Sequence, residues 1–317
     1  MLGELATRRG LAKAITLLES SLPAHRALAD ALLARALPHS GQAIRLGLSG
    51  VPGAGKSSFI ERLGLHLIGL GHRVAVLAID PSSSVSGGSI LGDKTRMEQL
   101  ALNEAAFIRP SPSRGTLGGV ASHTREVMRL VEAAGYDVVI VETVGVGQSE
   151  VAVAGMTDVF CLLQLPNSGD ELQAIKRGVM ELADLVVVHK VDIDRAAAQR
   201  AQVQIVSSLR LHAQGHPQAG APEVLLASSQ TGEGVAEVWQ AVLRQQQRSD
   251  RSARRHRQDV AWLHERLEEG LRLAFHHHPQ VAARFPEVEA QVAAGTLAAS
   301  SAARTLLSAF LGDTDHG

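Results

Sequence analysis

Residues 44–57 read IRLGLSGVPGAGKS, an apolar run of strand length that leads into a glycine-rich loop. The loop has the spacing Gly-x-x-x-x-Gly-Lys-Ser, and a helix is expected after it. Glycines in such a loop let successive backbone N–H groups point at a phosphate, and the helix N-terminus adds partial positive charge. The pattern therefore predicts a nucleoside triphosphate site formed by Gly50, Val51, Pro52, Gly53, Ala54, Gly55, Lys56, Ser57 and Ser58.

Lys56 and Ser57 have different predicted roles in this loop. The ammonium group of Lys56 neutralises the β- and γ-phosphates, and the Ser57 hydroxyl is an oxygen ligand for Mg2+. Acidic residues then follow later segments: RVAVLAID ends in Asp80, SGGSILGDKTRM contains Asp93, and VVIVE ends in Glu142. Parallel strands bring such side chains to one edge of a sheet. We predict a metal shell of Ser57, Asp80, Asp93 and Glu142, and a catalytic set of Lys56, Asp93 and Glu142.

The segment ETVGVGQSE predicts a switch that responds to the γ-phosphate. The N–H of Gly145 can donate to that phosphate and loses the contact after hydrolysis, while Gly147 permits the hinge. A plain tight turn is the alternative. Gln148 and Arg114 are candidates for the residue that activates hydrolysis. Since neither is a clear water-positioning group or arginine finger, slow intrinsic turnover is expected.

The run LVVVHKVDID at 185–194 bears on the choice of base. Asp192 is placed to accept hydrogen bonds from N1 and N2 of guanine, and the stem of Lys190 can cover the base. Adenine lacks both donors and would leave the carboxylate unpaired, so GTP is favoured. His189 occupies a position where Asn or Thr is usual, and its ring could make similar tethering hydrogen bonds. A serine-rich turn in LLASSQTGEG adds Ser228, Ser229 and Gln230 to the predicted base site.

Composition limits the other classes of function. The 317 residues carry a formal net charge of -1 and a single cysteine, Cys161. The charge gives no reason to expect nucleic acid as a partner, and one cysteine excludes an internal disulfide or a Cys-rich metal site. The basic segment RSDRSARRHRQ at 248–258 is expected to be a solvated helix face. No leader peptide and no apolar stretch of membrane-spanning length is evident, so a cytoplasmic protein without a membrane partner is expected.

Strand-length apolar runs alternate with helical segments, which predicts an α/β fold with a mostly parallel sheet covered by helices on both faces. The predicted strands are 44–49, 73–79, 137–141, 158–165, 185–189 and 224–227. We expect an N-terminal helical extension at 1–42, broken at Pro23, a P-loop domain at 43–247 and a C-terminal helical arm at 248–317. The arm has an apolar stripe of Trp262, Leu263, Leu267, Leu271 and Phe275. Folding back on the chain and pairing with a second copy both remain open.

The order of the motifs resembles one family over nearly the whole chain. The motifs are GVPGAGKS, AIDPSSS, GDKTRM, RPSPSRGTLGG, VVIVETVGVGQSE, LPNSGDELQAIKRG and HKVD. They are similar to those of the methylmalonyl-CoA mutase-associated GTPases of the MeaB/ArgK/MMAA type. Glutamate at 142, where most GTPases have aspartate, is typical of the larger group that also contains the hydrogenase and urease metallochaperones. His189 and the Ser57-Ser58 pair depart from the usual pattern.

The resemblance implies a Mg2+-dependent GTPase that binds GTP and GDP and serves as chaperone to an adenosylcobalamin-dependent acyl-CoA mutase. Such proteins gate delivery of the cofactor from a cob(I)alamin adenosyltransferase and protect or reactivate the mutase. The loop from Gln164 to Gly178 resembles the family's additional switch, and it implies coupling roles for Gln148, Gln164, Asp170 and Lys176. The family also implies a homodimer formed through the C-terminal helices.

Three other functions are compatible with parts of the sequence. A nickel or zinc metallochaperone shares the fold, but it usually has Cys/His segments, and adjacent histidines such as His276 to His278 point in different directions on a helix. An ATP-dependent kinase linked to amino-acid transport is the second alternative, and Asp192 argues against it. The third is a nucleotide-binding scaffold that does not turn over.

Overall fold

A computed structural model describes residues 2–20, 22–79, 97–111, 117–143, 149–166, 177–213 and 222–312. Within these ranges the strands are β1 (Ile44–Gly50), β2 (Val74–Ile79), β3 (Ala106–Ser111), β4 (Val138–Thr143), β5 (Val159–Gln164), β6 (Leu185–His189) and β7 (Glu223–Ala227). They form one seven-stranded sheet in the order β3-β2-β4-β1-β5-β6-β7. Every pair of neighbours is parallel, which confirms the predicted fold class.

Helices surround and follow the sheet. The described helices are α1 (Leu2–Leu5), α2 (Arg8–Leu18), α3 (Pro23–Ala36), α4 (Lys56–Gly69), α5 (Glu98–Leu102), α6 (Leu117–Ala133), α7 (Ser149–Ala154), α8 (Arg177–Leu182), α9 (Arg195–Ala213), α10 (Val235–Arg248), α11 (Arg251–His277), α12 (Pro279–Ala293) and α13 (Ala299–Leu311). A short 3-10 turn, Leu37–His39, precedes β1.

The two faces of the sheet are covered by different helices. One face is covered by α4: Glu142, the β4 residue paired with Leu48 of β1, contacts Ser57 of that helix. On the other face Gly47 has no room for a side chain, because a Cβ there would lie 2.7 Å from Val153 of α7. Successive residues of a strand point to opposite faces, so both faces are buried. This explains why the central strands read as continuous apolar runs rather than as alternating ones.

Strand β3 is the one described strand that the sequence did not predict. Its segment AFIRPS contains Pro110, which cannot donate a hydrogen bond to a neighbouring strand. The structure tolerates this proline because β3 is at the edge of the sheet and, among the described strands, pairs with β2 alone, where Ala78 faces Pro110. The apolar run was too short and too interrupted to be recognised as a strand.

The N-terminal helices pack into the same core as the sheet. Leu11, Ile15 and Leu18 of α2 are buried there, at the spacing expected for one helix face. The predicted break at Pro23 is confirmed, since this proline is at the start of α3, where its missing N–H has no cost.

The chain divides into two compact units, Met1–Arg255 and His256–Gly317. The second has a small core of its own, in which Val281, Val288, Ala302 and Leu306 are buried and Phe275 packs at the margin. The predicted stripe on α11 is otherwise largely exposed: Leu263 is 55%, Leu267 53% and Leu271 62% accessible.

The prediction that the basic segment 248–258 is a solvated helix face is wrong for Arg255. Asp250 caps α11 by accepting from the N–H of Ala253, so the helix begins inside the basic segment. Arg255 is then buried and makes paired hydrogen bonds of 2.7 and 2.6 Å with Asp158, at the start of β5. It also donates to the carbonyls of Gly41 and Ala43. A charge count along the sequence cannot distinguish this arginine from Arg257, which is exposed.

The single cysteine, Cys161, belongs to the core of the sheet. Cys161 is fully buried in β5, and burial raises the pKa of its thiol to about 12, so it acts as a small apolar side chain. None of the helices in the described ranges combines the length and apolar composition that a bilayer span requires.

Candidate functional site

The glycine-rich loop connects β1 to α4 and has the geometry of a phosphate-binding loop. Gly50 is the last residue of β1, and a Cβ there would lie 2.5 Å from the carbonyl oxygen of Leu163. Gly55 adopts a left-handed conformation, with φ of +87°, directly before the first residue of α4. Both positions require glycine, one for space and the other for its backbone angle. The loop therefore leads directly into the N-terminus of α4, whose first N–H groups can bind an anion.

Lys56 is the first residue of α4 and is held against the loop. Its Nζ donates to the carbonyl oxygen of Gly50 at 2.7 Å and to that of Val51 at 3.3 Å. The side chain is only 8% exposed, so its charge is concentrated at the loop rather than dispersed in solvent. A lysine in this position can transfer its hydrogen bonds from carbonyl oxygens to phosphate oxygens.

Ser57 and Glu142 come together across the sheet edge. The Ser57 hydroxyl donates to Oε1 of Glu142 at 3.2 Å, and Glu142 is 2% exposed. The residues are 85 positions apart, and the parallel pairing of β1 with β4 is what aligns them. The other two predicted metal ligands, Asp80 and Asp93, are outside the described residues, as are Gly145, Gln148 and Arg114.

His189 ends β6 and joins the phosphate loop to the turn after β7. Its Nδ1 donates to the carbonyl oxygen of Ala54 at 2.7 Å. Its Nε2 is 2.6 Å from the Ser229 hydroxyl and accepts from the Ser229 N–H at 3.2 Å. Burial lowers the pKa of His189, so the ring is neutral near pH 7. Phe59 of α4, which the sequence did not single out, packs its ring edge-on against the imidazole at 5.6 Å between centroids.

Lys190 and Asp192 lie beside this connection. Lys190 has a left-handed backbone, with φ of +62°, and its Nζ donates to the carbonyl oxygen of Gly53 at 2.8 Å. Asp192 is exposed, and the buried Ser228 hydroxyl donates to its Oδ1. That hydrogen bond lowers the pKa of Asp192, which keeps the carboxylate ionised and oriented. Gln230 is exposed at the tip of the same turn.

Gln164 is the described member of the predicted coupling set. It ends β5 next to the strand pair of Gly50 and Leu163, and its side chain is fully buried. Neither its amide oxygen nor its amide nitrogen has a hydrogen-bond partner among the described residues. The Thr143 and Ser49 hydroxyls, which share its sheet face, bond to each other at 2.8 Å. Asp170 and Lys176 are outside the described residues.

The chain matches the model of a known family over residues 11–280; that family is described as methylmalonyl Co-A mutase-associated GTPase MeaB. The GTPase ArgK of Escherichia coli is 50% identical over 84% of this chain and 81% of its own length. The Mus musculus protein named methylmalonic aciduria type A homolog, mitochondrial, is 46% identical over 96% of this chain and 76% of its own.

A solved structure extends the similarity to the whole fold. The crystal structure titled LAO/AO transport system kinase is 37% identical, with a TM-score of 0.76, and the match covers 98% of this chain and 95% of that one. The phosphate loop, the seven-stranded parallel sheet and the family match all lead to one assignment. The chain belongs to the MeaB family of methylmalonyl-CoA mutase-associated GTPases and is itself a GTPase with a P-loop nucleotide-binding fold.

Proposed function

We propose that this GTPase requires Mg2+, selects guanine through Asp192, and serves as a chaperone for an adenosylcobalamin-dependent acyl-CoA mutase. The observation that carries the nucleotide part is the meeting of the HKVD segment with the phosphate loop. His189 bonds to Ala54 and Lys190 to Gly53, so that a base held beside Asp192 has its phosphates on the loop. The mutase part is supported by the description of the family.

The residues present suit a magnesium ion. Ser57 and Glu142 provide a hydroxyl and a carboxylate 3.2 Å apart at the mouth of the phosphate loop, and Mg2+ prefers such oxygen ligands. We assign Ser57, Asp80, Asp93 and Glu142 to its shell. When bound, the ion neutralises charge that develops on the phosphates. The chain's own contribution is Lys56, whose ammonium group is already directed at the loop.

Guanine is the base that best fits the chemistry at Asp192. A carboxylate only accepts hydrogen bonds, and the Ser228 hydroxyl already occupies one side of Oδ1. The remaining acceptor capacity faces solvent, where N1–H and the N2 amino group of guanine could bind. Adenine has neither donor at the corresponding positions, so its binding would cost the carboxylate its hydration without replacement.

We propose that nucleotide hydrolysis times the loading of adenosylcobalamin into the mutase, with an adenosyltransferase as the source of the cofactor. The segments around Gly145 and from Gln164 to Lys176 would report the nucleotide state to the mutase.

The alternative functions, a metallochaperone and a kinase, are less well supported. Among the described residues no three His, Cys, Asp or Glu side chains form a metal-binding group, as a metallochaperone would need. Because the similar solved structure is titled as a kinase, hydrolysis of ATP has to be measured beside hydrolysis of GTP.

The mutase proposal is tested by measuring phosphate release from GTP and from ATP, each with and without a purified adenosylcobalamin-dependent acyl-CoA mutase. We expect slow GTP hydrolysis by the chain alone and at least tenfold faster GTP hydrolysis with the mutase, because the chain lacks a clear activating residue of its own. We expect little ATP hydrolysis in either case, because adenine cannot donate to Asp192. An unrelated acyl-CoA enzyme that does not bind cobalamin is the control. Unchanged GTP hydrolysis together with no detectable complex would contradict the chaperone role.

We also propose that the chain forms a homodimer through α11. Leu263, Leu267 and Leu271 recur at intervals of four residues and are each more than half exposed, so they form a continuous apolar stripe on one helix face. A second copy can cover that stripe with the same residues, as two-fold symmetry requires.

The dimer proposal predicts that Leu267→Glu reduces the molecular mass in solution from that of a dimer to that of a monomer. The charge would have to be buried against its own copy, which costs more than the lost apolar contact. Leu273→Glu is the matched control, since Leu273 is 48% exposed on the same helix and, with 3.6 residues per turn, lies about 120° round the helix from Leu267. Analytical ultracentrifugation measures both. A native chain that is monomeric, or two variants with equal effect, would argue against this interface.

A further inference from the structure

His189 replaces a residue type that does not titrate with one that does. Most sites of this kind have Asn or Thr before the lysine of the base-recognition segment. An amide can donate with its NH2 and accept with its oxygen at any physiological pH, whereas an imidazole does both only when it is neutral. The contacts of His189 show which neutral form is needed.

The hydrogen-bond partners of His189 fix its tautomer. The Ala54 carbonyl can only accept, so Nδ1 must carry the hydrogen at 2.7 Å. The Ser229 N–H can only donate, so Nε2 must be unprotonated at 3.2 Å, with the Ser229 hydroxyl donating to the same nitrogen at 2.6 Å. Protonation would place an Nε2–H against the Ser229 N–H. The Ser229 hydroxyl would have to turn and accept from this Nε2–H, and the hydrogen bond from the Ser229 N–H, which holds the backbone of the base turn, would be lost.

The ring is closely enclosed, so it has little freedom to turn away. It is 2% exposed, and the Phe59 ring packs against it edge-on. A Cβ on Gly55 would lie 2.8 Å from both Cε1 and Nδ1 of the imidazole. The loop therefore leaves a space above Gly55 that the imidazole fills.

Two charged groups of the described residues, Lys190 and Asp192, act on the imidazole. Burial has the largest effect and lowers the pKa of His189; the hydrogen bond to Ala54 and the Asp192 carboxylate oppose this effect, while Lys190 adds to it. From α4 the ring meets uncharged Phe59, and the ammonium group of Lys56 is bonded to Gly50. From the turn after β7 it meets the uncharged Ser229.

We propose that His189 is a positioning residue for the guanine nucleotide, which holds the phosphate loop and the base turn together as a neutral imidazole, so that nucleotide affinity falls in acid. The proposal rests on the proposed guanine site beside Asp192. His189 acts through Ala54 and Ser229 rather than by touching the nucleotide. Protonation should weaken binding without unfolding the sheet, since the two segments that it connects both follow strand ends.

The direction of the pH effect follows from linkage. The pKa of His189 is below its ordinary value, so the neutral connection is complete at pH 7 and above and is lost as pH falls through that pKa. If only the neutral form binds well, the dissociation constant for GDP rises toward tenfold for each pH unit below the pKa. An asparagine at this position would give no such dependence.

The test is the dissociation constant for GDP with Mg2+, measured by calorimetry from pH 8 to pH 5 in the folded native chain and in His189→Asn, His189→Ala and His39→Asn. We expect His189→Asn to bind within about threefold of native at pH 8 and to lose less affinity in acid than the native chain. The loss that remains in the variant comes from the GDP phosphate, which gains a proton near pH 6 in both cases. His189→Ala should bind about tenfold to a hundredfold more weakly at every pH. His39, which is exposed before β1, provides the control and should leave the native profile unchanged.

Nitrogen-15 spectra of the native chain at pH 7.5 give a second reading, in which we expect one histidine with protonated Nδ1 and unprotonated Nε2 that is lost in His189→Asn. Equal pH profiles for native and His189→Asn would overturn the inference while leaving the guanine site intact. No GDP binding by either protein at pH 8 would overturn the guanine site itself, and the inference with it.

Discussion

Replacing Lys56 by alanine is expected to reduce the rate of GTP hydrolysis by about a hundredfold to a thousandfold, the range found when one preorganised electrostatic group is removed from an active site. The reason is the position of the ammonium group. Lys56 is only 8% exposed, and its ammonium group is held by the Gly50 carbonyl at 2.7 Å, so the charge is fixed where the β- and γ-phosphates are proposed to bind. Phosphate release at saturating GTP and Mg2+ measures the effect.

The matched control is Lys13→Ala, which removes the same side chain from an exposed position on α2. It should hydrolyse GTP at the native rate. Thermal unfolding of both variants separates catalysis from stability, because the Lys56 variant loses a buried charge together with its hydrogen bonds. Native hydrolysis by Lys56→Ala would contradict the assignment of the phosphate loop.

Arg255→Ala is expected to lower the free energy of unfolding by about 3–5 kcal/mol, the cost typical of removing one partner from a buried ion pair. Asp158 would lose two hydrogen bonds from the guanidinium and keep the one from the N–H of Arg45, at 2.9 Å. The carbonyl oxygens of Gly41 and Ala43 would also lose their donors at 2.6 Å. The loss therefore leaves a buried charge and two backbone carbonyls without these partners near the start of β1 and β5.

Urea denaturation followed by circular dichroism checks this value. Arg257→Ala is the control, because Arg257 is exposed two residues further along the same helix, and it should change stability by less than about 0.5 kcal/mol. If the two variants unfold at the same urea concentration, Arg255 has no special role. GTP hydrolysis by folded Arg255→Ala should stay near native, since this cluster is at the opposite end of β1 from the phosphate loop.

Sequence patterns alone locate six of the seven described strands. The apolar runs of β1, β2, β4, β5 and β6 were recognised because strands buried on both faces need uninterrupted apolar residues. The run of β7 was recognised too, although this edge strand is mostly only partly buried. Strand β3 was missed because its proline is acceptable only at a sheet edge, and edge position is a property of the assembled sheet. Arg255 was misjudged because its acidic partner, Asp158, is 97 residues away.

The candidate site shows the same division. Local motifs predicted Ser57, Glu142 and His189, because each motif combines characteristic residue types with an adjoining apolar strand. Their partners were not all foreseen: Phe59 against the imidazole and the Ser49–Thr143 hydrogen bond depend on side-chain packing. Asp80, Asp93, Gly145, Gln148, Asp170 and Lys176 remain predictions, because they are outside the described residues.

The sequence by itself determined the parallel α/β fold, the phosphate loop and the order of the family's motifs, because these depend on residue types at short, fixed spacings. Tertiary structure alone decided that Arg255 is a buried anchor and that His189 must be a neutral Nδ1–H imidazole. Both conclusions depend on groups that are distant along the chain and become neighbours only when the strands align. Burial then makes each such contact significant, since a charge or hydrogen-bonding atom away from water requires its specific partner.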